Sequence, residues 1–192
     1  MLERCGAACL LLILAGCAGA PPPPPAHEAA PPPAPAASSA ASELTQPPFT
    51  VEQIRATIKE DFRYTWRIEK DGEPTVTEWF AFYRVNAEGA RISSGGFRDD
   101  GTGFGVSPGH ATWEQMRRIG AFPKAKTTIT EETVEVPAGK FACVVYTVHK
   151  DDGSVGHHYF AKDLPGMPVL VFWVKDKKRF KTATLIEYSP GK

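Results

Sequence analysis

Residues 127–150, TTITEETVEVPAGKFACVVYTVHK, carry the pattern that decides the fold. Two runs rich in threonine, valine and aromatic residues, 127–136 and 140–150, flank the turn sequence Pro137-Ala138-Gly139. β-Branched and aromatic residues favour strands, whereas proline and glycine interrupt them. The stretch therefore predicts two antiparallel strands joined by a tight turn.

The same composition recurs through most of the chain after residue 61, with turn sequences between the runs. Asp71-Gly72 is one such turn, and Pro165 followed by Gly166 suits a type II turn. About eight short strands with tight connections predict a mainly β (α+β) fold, a curved antiparallel sheet or half-open barrel packed on an N-terminal helix. The predicted strands are 62–70, 75–86, 90–97, 127–136, 140–150, 154–162, 169–175 and 179–188.

Two helices are predicted from capping boxes, in which a threonine is followed three residues later by glutamine. Thr50 with Gln53 precedes apolar residues at helical spacing, which predicts a helix over 50–61. Thr112 with Gln115 predicts a second helix after residue 112. The glycine-rich residues 98–111 are predicted to form a loop.

Composition separates the chain into a front segment and one domain. The 192 residues include 22 basic and 22 acidic side chains, and this zero net charge argues against a nucleic-acid partner. All aromatic residues lie between Phe49 and Tyr188. We therefore predict a single globular domain over residues 49–192.

The first 17 residues, MLERCGAACLLLILAGC, have the layout of a secretory signal. Their apolar stretch is shorter than the roughly 20 residues that span a bilayer. Leu14-Ala15-Gly16-Cys17 resembles the lipobox of bacterial lipoproteins. This resemblance implies a signal peptide over 1–16, cleavage before Cys17, a thioether-linked diacylglycerol on that cysteine and usually an amide-linked third acyl chain. Alanine rather than aspartate at position 18 favours the outer membrane.

Residues 17–48 are predicted to be the lipidated cysteine followed by a disordered tether. Positions 18–48 hold 11 prolines and 10 alanines, with no basic residue and no aromatic one. Such a segment cannot bury enough apolar surface to offset the entropy of ordering it, and its prolines favour an extended backbone. We interpret it as a spacer between membrane and domain.

The hairpin around Val134–Phe141, with Tyr146 and Tyr159-Phe160-Ala161 beyond it, resembles one in uncharacterised bacterial envelope proteins. Those domains are in turn similar to the half-open barrels of lipoprotein-localisation carriers. The resemblance implies a curved sheet, and a cavity for an acyl chain if the concave side is not filled.

Candidate chemical residues are few. Cys143 lies in an apolar strand, where cysteine behaves as a small hydrophobe. His157 and His158 alternate across a strand and cannot readily share an ion. A two-residue loop at Asp152-Gly153 would place His149 diagonal to His158 on one face, which leaves a metal-dependent enzyme as a second alternative. No third ligand is identifiable, so we predict no catalytic residue, metal or cofactor.

A basic cluster surrounds Asp176. A solvated hairpin tip explains it, and contact with an anionic lipid surface or polyanion is the functional alternative. The cluster consists of Lys175, Lys177, Lys178, Arg179 and Lys181.

These features predict a membrane-anchored envelope lipoprotein that is not an enzyme and acts as a protein-interaction module. The alternative is a carrier of an apolar ligand or acyl chain, since Trp66, Trp79 and Trp173 supply much apolar surface. We expect the first helix and the 98–122 segment to fill the concave side as a solid core.

Overall fold

The computed structural model describes residues 43–192. The predicted signal peptide, Cys17 and most of the predicted tether lie outside these residues and stay predictions. The described chain has two α-helices, a short 3₁₀ turn at Lys124–Lys126 and nine strands. In chain order they are α1 (Val51–Thr57), β1 (Arg63–Lys70), β2 (Val76–Tyr83), β3 (Gly89–Arg98), β4 (Gly103–Thr112), α2 (Trp113–Arg118), β5 (Thr127–Val136), β6 (Gly139–His149), β7 (Val155–Ala161), β8 (Leu170–Lys175) and β9 (Lys178–Ser189).

The strands form one antiparallel sheet in the order β4-β3-β2-β1-β9-β8-β7-β6-β5. Strands β4 and β5 are its two edges, so the sheet is open. A contact between distant strands shows that the sheet is strongly curved. The turn between β5 and β6 reaches β9, where the Ala138 N–H donates to the Leu185 carbonyl at 3.4 Å. The predicted mainly β fold with a curved antiparallel sheet is confirmed.

The prediction of a loop over residues 98–111 is wrong. Most of this segment forms a strand that was not predicted, which is why the sheet has nine strands instead of about eight. Residues 103–112 form β4, which pairs with β3 through most of its length. Its glycines and Pro108 give no strand pattern, but hydrogen bonding to a neighbouring strand overrides this weak local preference. Proline is tolerated here because β4 is an edge strand.

Both predicted capping boxes are present. The Gln53 N–H donates to Thr50 Oγ1 at 3.3 Å and the Thr50 N–H donates to Gln53 Oε1 at 2.8 Å, and Thr112 and Gln115 repeat the arrangement at α2. Helix α1 ends earlier than the predicted residue 61, because Ile58 has an extended backbone that turns the chain towards β1. Neither described helix is long or apolar enough to cross a bilayer.

The packed part of the chain begins before the predicted boundary at residue 49. Leu44 forms a bridge with Pro123, and Thr45 is buried. The Thr45 N–H donates to the Phe122 carbonyl at 2.7 Å, and the Tyr146 hydroxyl donates to the Gln46 carbonyl at 2.8 Å. The end of the predicted tether is therefore part of the domain.

Candidate functional site

One face of the sheet, which we call the inner face, carries most of the core. Residues paired directly across neighbouring strands share a face. The pairs Trp66–Leu185, Ile68–Ala183, Val171–Ala183, His158–Val171 and Tyr146–His158 place all seven side chains on this face.

The inner face is covered over only part of its width. Near β6 and β7, Phe49 packs edge to face on Phe160, and Phe122 lies against Tyr146 and His158. Helix α1 contributes the buried Ile54 to the same core, and Ile58, directly after the helix, is also buried there. On β2, β1, β9 and β8 several inner side chains are only half-buried, although Trp66 and Leu185 are buried. The members of this half-buried set are Ile68, Phe80, Val171, Trp173 and Ala183.

This uncovered region contains an apolar pocket of about 200 Å³. Trp66 and Trp173 are its aromatic walls, and Met167 and Pro168 approach from the connection between β7 and β8. The expected solid core is therefore incomplete: α1 and α2 supply buried residues, but residues 103–112 lie at the sheet edge instead of filling the concave side. The other lining residues are Ile68, Glu78, Phe80, Val171, Lys181 and Ala183.

Specific contacts hold the two indoles in place. Trp66 Nε1 donates to the Pro168 carbonyl at 3.2 Å, which ties β1 to the β7–β8 connection. Lys150 Nζ lies 3.9 Å from the centroid of the Trp173 ring, and the His158 ring meets it edge to face at 5.5 Å. The pocket walls are thus fixed before any ligand arrives.

Two opposite charges stand at the pocket. Glu78 on β2 is paired with Trp66 of β1, and Lys181 on β9 is paired with Trp173 of β8. Neither forms an ion pair with another residue of the 43–192 segment. An apolar pocket with a few polar groups beside it is the usual form of a binding site.

His158 is the most perturbed histidine of the domain. Burial is the main cause that lowers its pKa to about 4, and the positive charges of His157 and Lys150 contribute to the same shift. Its Nε2 atom is buried without a hydrogen-bond partner. The ring is therefore neutral at neutral pH and acts as a wall of the aromatic cluster.

The expected placement of His149 and His158 on one face is wrong. Residues Asp151, Asp152 and Gly153 form a three-residue loop, in which Gly153 has a φ of 79°. His149 consequently pairs with Val155 rather than Gly156, and this one-residue shift moves it to the opposite, outer face. Among residues 43–192 no group of three metal-ligating side chains comes together.

Cys143 is a buried thiol on the outer face of β6. It is 1% exposed, and burial together with the negative charges of Asp163 and Glu132 raises its pKa to about 11. The thiolate is the reactive form of cysteine, so this side chain is inert at neutral pH.

Comparisons with known proteins add only a distant structural similarity. The sequence matches no protein-family model and no curated protein. The Pseudomonas aeruginosa MucA/MucB complex is similar over 72% of this chain and 55% of that chain, with 13% identity and a TM-score of 0.46. MucB in complex with MucA(peri) is similar over 74% of this chain and 55% of that chain, with 13% identity and a TM-score of 0.46. MucB is similar over 73% of this chain and 56% of that chain, with 14% identity and a TM-score of 0.44. The chain spans about half the length of these structures, a similarity too distant to transfer a partner or an activity.

The predicted basic cluster lies at the tip of the β8–β9 hairpin but is divided between two faces. Asp176 and Lys177 form the turn, with φ values of 50° and 63°. Lys178 Nζ pairs with Asp71 Oδ2 at 2.5 Å, and Arg179 lies over the Phe172 ring at 3.8 Å on the outer face. Lys181 lies on the inner face at the pocket. Contact of this cluster with an anionic surface stays a prediction.

Several pocket residues were not singled out in the sequence. These are Glu78, Met167 and Pro168, whereas Lys181 was singled out only as part of the basic cluster; the four meet because the sheet order places β9 between β1 and β8. One signal was present: Glu78 interrupts the apolar run of β2 at a position that alternation assigns to the same face as Phe80.

Proposed function

We propose that this chain is a lipid-anchored protein of the bacterial envelope that binds a partner protein through the inner-face pocket and is not an enzyme. The pocket carries the proposal. Its volume of about 200 Å³ lies below the roughly 300–1,000 Å³ typical of small-molecule sites. It suits one large apolar side chain of a partner, and burying such a side chain contributes about 1.5–3 kcal/mol.

The charges beside the pocket support a peptide-like ligand. Glu78 on β2 and Lys181 on β9 both line the pocket, where they can pair with charged residues that flank an anchor side chain. The hydrocarbon of an acyl chain pairs with neither charge, and a fatty-acid carboxylate would be attracted by Lys181 but repelled by Glu78. The small volume and the two charges thus favour a protein ligand over the acyl-chain carrier.

The absence of an enzymatic role is also part of the proposal, and the chemistry of the candidate residues supports it. Cys143 is held as a thiol and His158 as a neutral ring among aromatic side chains. His149 and His158 lie on opposite faces of the sheet. The lipid anchor rests on the lipobox resemblance at Leu14-Ala15-Gly16-Cys17 alone.

Site-specific photocrosslinking in cells tests the pocket. A photoreactive phenylalanine analogue replaces Ile68, which lines the pocket, and in a matched variant it replaces the adjacent Arg67, which lies on the outer face. We expect a discrete protein adduct from position 68 alone, and its loss when Ala183→Trp fills the pocket. Thr184→Trp on the outer face is the control for that substitution.

Two other results would contradict the proposal. Adducts of position 68 with lipid instead of protein would favour the acyl-chain carrier. Equal protein adducts from positions 67 and 68 would show that the pocket does not select the contact.

A further inference from the structure

The two edges of the sheet differ in how well they could accept another strand. Strand β5 pairs with β6 through ten consecutive residue pairs without a bulge, and most of its residues are exposed. Strand β4 contains Pro108, which has no N–H, and a register shift disturbs its pairing with β3. Proline and bulges are devices that block an edge, and β5 has neither.

Every second residue of β5 directs its main-chain N–H and C=O groups to solvent. The Lys162 N–H donates to the Ala142 carbonyl at 2.9 Å, so the main-chain groups of Ala142 point away from β5. Thr133, its directly opposed residue, therefore forms a non-hydrogen-bonded pair and turns its own N–H and C=O outward. By alternation Ile129, Glu131 and Glu135 do the same. This is a row of donors and acceptors spaced for one more strand.

The side chains of this edge are acidic. Glu131 pairs with Lys162 at 2.7 Å, and Glu132 accepts a hydrogen bond from the Tyr159 hydroxyl at 3.2 Å. Glu135 has no ion pair within residues 43–192. The edge therefore has an excess of negative charge, and the inward-facing Ile129, 47% exposed, adds an apolar contact.

This charge decides which strand could be added. In an antiparallel pair of two β5 strands from two copies of this chain, the acidic segments would lie opposite one another, which is destabilising. Positions 18–48 of the chain contain no lysine or arginine that could neutralise the edge. A basic segment of another protein has neither drawback.

We propose that β5 binds an extended basic segment of a partner protein, which adds to the sheet as a tenth strand. Main-chain hydrogen bonds to the outward groups of Ile129, Glu131, Thr133 and Glu135 provide the affinity, and lysine or arginine opposite the glutamates provides the selectivity. This edge site is separate from the inner-face pocket, so either can fail without the other.

An NMR titration of the full-length protein, held in solution by a mild detergent, tests the proposal. The probe is the synthetic peptide KVTKKTI, capped at both ends, whose lysines oppose the glutamates in an antiparallel pairing. We expect amide shifts confined to β5 and its neighbour β6, weakened by salt. The acidic peptide EVTEETI should bind at least about tenfold more weakly.

Variants separate backbone from charge. Thr133→Pro removes an outward N–H that does not pair with β6 and should abolish binding, whereas Thr133→Ala keeps the N–H and should bind like the parent. Glu131→Lys with Glu135→Lys keeps every N–H and should reverse the preference between the two peptides, which decides the matter if the proline variant fails to fold. Absence of shifts in β5, equal binding of both peptides or unchanged preference in the double variant would overturn the proposal.

Discussion

The indole of Trp173 lies directly over Gly156, its paired residue on β7. A Cβ atom at position 156 would approach the ring to 2.6 Å, closer than packed side chains allow. Gly156 is therefore required for the position of a pocket wall. Glycine also permits close approach of two elements where any side chain would separate them.

Gly156→Ala should displace Trp173 and lower the free energy of unfolding by about 1–3 kcal/mol, the usual cost of overpacking. Urea denaturation followed by tryptophan fluorescence measures both effects. Gly109→Ala is the matched control, because a Cβ there meets no atom within 4 Å. Equal stability of the two variants would show that the indole is free to move.

His158 should make the domain less stable as the pH falls. Its pKa is about 4 in the folded protein and near 6.5 in the unfolded chain, so between these values the unfolded state binds more protons. The free energy of unfolding has its full value above about pH 6.5 and decreases towards pH 4, by up to about 3 kcal/mol.

Denaturation of the parent and of His158→Leu at pH 7 and at pH 4 checks this expectation. The leucine variant should lose less stability between the two pH values than the parent. His149→Gln, at an exposed position on the outer face, is the control and should keep the parent's pH dependence. A leucine variant with the parent's full acid sensitivity would contradict the assignment.

Residues 43–48 should contribute measurably to folding. A chain that begins at residue 49 loses the hydrogen bonds between Thr45 and Phe122 and between Tyr146 and Gln46. At about 1 kcal/mol each, their loss should lower the free energy of unfolding by about 2–3 kcal/mol relative to a chain that begins at residue 43. Thermal unfolding of the two chains tests this. Identical unfolding midpoints would show that the folded domain begins at residue 49.

Cys17 should be the point of membrane attachment. The lipobox resemblance assigns the lipid to sulfur, so Cys17→Ser should leave the protein uncleaved or without its acyl chains. Mass spectrometry of the N-terminal peptide of the mature protein detects the modification, and Cys143→Ser is the control that should leave it unchanged. Unmodified Cys17 at the N-terminus of the parent would refute the lipoprotein interpretation.

Most strands could be predicted from the sequence because their signals are local. Period-two runs of β-branched and aromatic residues between turn sequences place β5 and β6 at their observed positions. The capping boxes at Thr50 and Thr112 likewise depend on side chains three residues from the backbone groups they bind. Such features need only neighbouring residues to form.

Features that depend on distant partners were decided by the tertiary structure alone. The glycine-rich β4 is a strand because β3 pairs with it. His149 and His158 lie on opposite faces because one extra loop residue shifts the register of β7, and a period of two turns a one-residue shift into a change of face. The pocket exists because α1 and the segment around Phe49 cover only part of the curved sheet, a matter of three-dimensional coverage that no local pattern encodes.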